Sequence, residues 1–234
     1  MATPINRPLS EPVVSNSGLL RLLQLSSVSL PVGGYAFSQG LEYAIDTDWV
    51  TNEAQVEQWI ATQLSEGIAQ LDLPILRESM QALDTQDIQA LRYLNQLIIA
   101  TRESKELRLT DTAMGAALVR LLNQQLIPVM FAKKEDVSFV LAFAVGAHHW
   151  GIPYHTTALG FCWSWLENQV AVATKLVPLG QSQAQRLLGN LQPNLISAIA
   201  ASVQIKTEHV GACLPALAIG SALHESQYSR LFRS

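Results

Sequence analysis

Along most of the chain apolar residues return every three or four positions, the spacing of an α-helix that buries one face. Val56, Trp59, Ile60, Leu64, Ile68 and Leu71 trace one such face. Asn52, with Gln55 behind it, supplies the N-cap and capping-box residue that would start that helix. Pro74 suits the first turn of a helix that runs to Leu83. Ile88, Leu91, Leu94 and Ile98 trace a further stripe, begun by Asp84 and Thr85 as caps. Leu107, Met114, Leu118 and Leu121 belong to a longer helix over 103–123. Val137 to Trp150 is apolar on nearly all sides, which places it at the centre. Gly151 and Pro153 break it, and Thr156 or Thr157 restarts a helix that reaches Thr174. Helices over 182–192 and 194–206 follow, read as one helix kinked at Pro193, then a last one over 214–225. No alternating stretch of strand length occurs. The expectation is an all-α fold, a single domain of about ten helices. Residues 1–18 read as a disordered lead-in, 19–225 as the helical body and 226–234 as a docking tail.

Two stretches do not follow the helical rhythm. After a short apolar helix over 19–25, Pro31 acts as a stop, because proline lacks an N–H and fixes φ. Gly33 and Gly34 then give backbone freedom, Tyr35 and Phe37 alternate, and Ser38 is placed to cap the next helix. The segment reads either as a tight helix–helix connection or as a recognition loop held by rigid helices. The second stretch is the end of the chain, HESQYSRLFRS. As a helix it would put Tyr228, Leu231 and Phe232 on one face, with Arg230 and Arg233 beside it. Chain ends are usually polar and mobile, so a terminus of this composition is expected to dock, on itself or on a partner.

Composition sharpens the second reading. Hydrophobic residues make up 49% of the 234 positions and charged residues 15%, against about 25% charged in ordinary soluble domains. Part of the surface is therefore expected to be covered by a partner. The net charge of −4 gives no pull toward nucleic acid or an anionic membrane. Between Asp136 and Glu167 no charged residue occurs, but each apolar half is shorter than the roughly 20 residues a spanning helix needs. Cys162 and Cys213 suit a reducing compartment. No phosphate-cradling glycine loop, HExxH or GxSxG is present, nor a nucleophile–base pair, so no catalytic residue is assigned. His148, His149, His155 and Cys162 form a loose group, read as a helix end rather than a metal site, because adjacent helical histidines point about 100° apart. Arg102, Glu103, Lys105, Glu106 and Arg108 are a dense charge group, with Arg102 and Glu106 spaced to pair on one helix face. It reads as a solvated face or a polar contact patch.

Taken together, LLRLLQLSSVSLPVGGYAFSQGLEYA at 19–44, RESKELR at 102–108, VPLGQSQAQRLL at 177–188 and HESQYSRLFRS at 224–234 resemble urease accessory protein F, the UreF family. The resemblance implies an all-α, non-enzymatic, cytoplasmic scaffold that forms a homodimer and needs no cofactor or metal of its own. It implies that such a scaffold binds UreD (also called UreH), recruits the GTPase UreG, and supports nickel insertion into the urease apoprotein. Carried onto this chain, the partner-binding residues are Tyr228, Arg230, Leu231, Phe232 and Arg233 in the tail. Pro31, Gly33, Gly34, Tyr35, Ser38 and Gln39 belong to the loop, and Glu103, Lys105 and Arg108 to the charge group. Gln181, after Pro178-Leu179-Gly180, reads as a structural cap. The alternative function is regulation of UreG GTP hydrolysis through a tail arginine, Arg230 or Arg233.

Overall fold

The computed structural model describes residues 13–132 and 135–233. Most of the expected lead-in, residues 1–12, lies outside them, and so does Ser234 at the end of the tail. Among the described residues the fold is all-α, without a strand. The helices are α1 (Asn16–Leu25), α2 (Leu41–Asp46), α3 (Glu53–Thr62), α4 (Leu73–Asp84), α5 (Ile88–Ala100), α6 (Lys105–Gln124), α7 (Phe139–His149), α8 (Tyr154–Leu176), α9 (Gln181–Ser202) and α10 (Pro215–His224). Among the described residues none is long and apolar enough to cross a membrane.

α7 is the axis. Every residue from Phe139 to Ala147 is buried, because α6, α4, α1 and α8 surround it. Phe139 and Phe143 meet Phe161 of α8 with ring centroids 5.4 to 6.0 Å apart. α6 approaches the start of α7 so closely that a Cβ at Gly115 would lie 1.9 Å from the Val137 carbonyl oxygen. α7 is capped at its N-terminus from a distance. Asp111 of α6 accepts from Ser138 Oγ and from Phe139 N, both at 2.8 Å. Asn95 of α5 accepts from Ser138 N at 2.9 Å and donates to the Asp136 carbonyl at 2.7 Å.

α3 and α4 belong to one continuous helical rod over 53–84, joined by a π-helical segment, Gln63–Asp72. Pro74 has no N–H to offer the Gln70 carbonyl four residues back. That carbonyl accepts instead from Gly211 N at 3.1 Å, which ties the connection before α10 to the rod. α9 is likewise one helix through Pro193.

Several boundaries differ from the sequence expectation. α1 starts at Asn16, where Ser15 Oγ accepts from Gly18 N at 3.0 Å. It ends at Leu25, well before Pro31, so the proline shapes the loop and does not stop the helix. Gly40, with φ 80°, precedes α2, and Ser38 is buried without capping it. Thr85 closes α4. Asp87 caps α5 by accepting from Ala90 N at 2.9 Å. Asn52 caps α3 as expected, accepting from Gln55 N at 3.1 Å.

Candidate functional site

The loop between α1 and α2 is fastened to α8. Gly33 adopts φ 75°, a left-handed conformation that favours glycine. Gly34 begins a short 3₁₀ turn (Gly34–Ala36), and a Cβ there would lie 2.8 Å from Asn168 Nδ2. Phe37 is buried, and Gln39 Oε1 accepts from Trp165 Nε1 at 3.1 Å. Pinned at these points, the loop turns Tyr35 outward, 61% exposed, and Pro31 is exposed beside it.

The next helix carries the residue on which the site turns. Glu42 is buried on α2, and its carboxylate accepts from the tail. Leu231 N donates to Oε1 at 2.5 Å and Phe232 N to Oε2 at 2.9 Å. Arg233 N donates to the Ala36 carbonyl at 2.8 Å, so the tail lies against the loop's 3₁₀ turn. Phe232 is buried with Lys175 Nζ 5.3 Å from its ring centroid. Tyr228 and Leu231 face outward.

The tail is therefore not a helix, and Tyr228, Leu231 and Phe232 do not share a face. In a helix the amides of Leu231 and Phe232 would bond to carbonyls four residues back. Here both are given to one carboxylate, and hydrogen bonds to a charged acceptor are the stronger kind.

A second carboxylate completes the cluster. Glu106 of α6 accepts from Arg230 Nη1 at 3.2 Å. Between Glu42 and Glu106 sits His224, the last residue of α10, fully buried. Its Nε2 lies 2.9 Å from Glu42 Oε2 and its Nδ1 lies 2.8 Å from Glu106 Oε2. Burial raises the Glu106 pKa above the usual glutamate range, against the lowering pull of His224 and Arg230. Ser221 Oγ, one turn before His224, donates to Ser104 Oγ at 2.8 Å and holds α10 to the start of α6.

The charge group at 102–108 divides among three tasks. Arg102 and Glu106 do not pair. Arg102 lies ahead of α6 and reaches Asp72 at 2.6 Å and Asp111 at 3.0 Å. Burial lowers its pKa, but the two aspartates outweigh burial and keep it a cation. Burial raises the pKa of Asp72 above the usual aspartate range even beside Arg102. Glu103 accepts from Leu214 N at 3.3 Å, just ahead of α10. Lys105 and Arg108 are exposed on α6. At the start of α9 the cap is made by Gln183, whose Oε1 accepts from Gly180 N at 2.8 Å, and not by Gln181. His148 pairs with Asp84 at 3.0 Å. Among the described residues no three His, Cys, Asp or Glu side chains are grouped to hold a metal ion.

The structure thus joins the two stretches that broke the helical rhythm into one composite surface, with Tyr35, Tyr228 and Leu231 outward. Sequence reasoning missed Glu42, Glu106 and His224, the residues that join them. The available signal was a titratable residue within an otherwise apolar neighbourhood, as at Leu41-Glu42 and Leu223-His224.

Comparison with known proteins gives a consistent relationship. A family model described as UreF matches residues 50–192, from just before α3 into α9. The urease accessory protein UreF of Marinomonas sp. (strain MWYL1) is 59% identical over 222 residues, 95% of this chain and 96% of its own. The protein of the same name from Pseudoalteromonas translucida is 44% identical over 231 residues, 96% of this chain and 98% of its own. That of Chromohalobacter salexigens is 42% identical over 228 residues, 96% of this chain and 99% of its own.

Proposed function

The chain belongs to the UreF family, and from that membership we propose that it acts as a scaffold through the loop–tail surface. It is an accessory protein of urease maturation and not an enzyme. In the finer reading, a cytoplasmic homodimer binds UreD (UreH) and recruits UreG. The assembly then supports nickel insertion into the urease apoprotein.

One observation carries this reading. Leu231 N and Phe232 N on Glu42, with Arg233 N on Ala36, build one surface from two distant parts of the chain. Exposed tyrosines beside arginines suit the centre of a protein interface, and Leu231 adds apolar area next to them. Pro31, Gly33, Gly34, Ser38 and Gln39 support that surface from beneath or beside it. Glu103 acts by fixing α10, and Lys105 and Arg108 are candidates for its rim.

The test is size-exclusion chromatography with light scattering on the protein alone, with UreD, and with UreD plus GTP-loaded UreG. A chain ending at Glu225 is run beside the full-length chain. The scaffold reading requires the full-length chain to assemble the three-way complex and the shortened one to fail. Equal assembly by both removes the tail from the docking surface. The alternative, a tail arginine acting on UreG hydrolysis, falls to Arg233, because Arg230 is engaged by Glu106. Arg233→Ala in an intact complex should then lower hydrolysis by about 10³-fold or more, the range seen for arginine fingers. Loss of the complex itself supports the scaffold.

A further inference from the structure

We draw no further inference here: the strongest candidate, the apolar groove that Leu159 and Trp163 of α8 form with Leu195 and Ile196 of α9, is an unpartnered face, and nothing in the structure shows what covers it.

Discussion

Two buried ionic clusters in this molecule share one arithmetic and differ in kind. In the first, Arg102 lies between Asp72 and Asp111. In the second, His224 lies between Glu42 and Glu106. Both set one nitrogen-bearing side chain between two carboxylates drawn from different helical elements. The first secures regular structure, since Asp111 also caps α7 and Asp72 ends the π segment. Its cation is permanent, because a guanidinium does not lose its proton in a protein. The second secures irregular backbone, the tail, through the two successive amides that Glu42 accepts. The contrast teaches that the same buried arrangement can fix the helical body or hold a segment outside it, according to what hangs from its carboxylates.

The largest effect is expected where the fixture is broken. Arg102→Ala leaves two buried carboxylates facing each other and loosens the cap on α7. Removing one partner of a buried ion pair typically costs about 3–5 kcal/mol, and urea unfolding should show a loss of that size. Arg102→Lys should recover only part of it, since an ammonium cannot serve both aspartates with the guanidinium's planar fork. A loss below about 1 kcal/mol for Arg102→Ala would put the two clusters on the same footing.

His224→Ala should cost the body less, about 1–3 kcal/mol, because the exposed tail can leave and let water reach Glu42 and Glu106. The comparison is sharpened by where the loss appears. Limited proteolysis should cut within 226–231 in His224→Ala and spare the helices, whereas Arg102→Ala should open the chain throughout. Cleavage of both variants at the same sites would erase the distinction.

The body was legible because helical periodicity is a local signal. The apolar run over 137–150 became α7 at the centre, and Asn52 with Gln55 opened α3. Boundaries slipped where competing caps lay close together. Asp84, Thr85 and Asp87 all suit a cap, and the end of α4 claimed Thr85. The two stretches without rhythm were visible from residue types alone. What bound them was not, because His224 lies 118 positions from Glu106 and 182 from Glu42 along the chain. Arg102 pairs with residues 30 and 9 positions away, and a local i, i+4 partner in Glu106 looked sufficient. Local spacing finds partners within one helix, and both clusters are built between helices.

A smaller effect follows from the pKa of Glu106, which burial raises. A carboxylate with a raised folded-state pKa binds its proton more tightly folded than unfolded. Its contribution to stability is then greatest below the ordinary glutamate range and is lost as pH rises through the folded value. Glu106→Gln removes that dependence. The stability of the variant should therefore fall less steeply than wild type as pH rises from the glutamate range. At neutral pH its tail should still be loosened, since a neutral amide holds Arg230 weakly. Parallel stability profiles for the two proteins would mean that Glu106 titrates alike in both states.

The smallest effect on stability should come from the outward residues, and it separates the tail's surface from the backbone contacts that hold it. Leu231 is 65% exposed and Tyr228 fully so, while the contact that holds position 231 comes from its backbone N–H. Leu231→Ala keeps that N–H, and Tyr228→Ala touches none of the contacts of Glu42, Glu106 and His224. Each should change folding stability by no more than about 0.5 kcal/mol and leave the tail amides where they are. If these side chains lie at the centre of an interface, each should weaken UreD binding by about 1–2 kcal/mol, a factor of roughly 5 to 30 in Kd. Calorimetric titration of UreD into each variant measures it. Binding unchanged in both, with the tail still docked, would confine the tail to a structural role and move the interface to the loop around Tyr35.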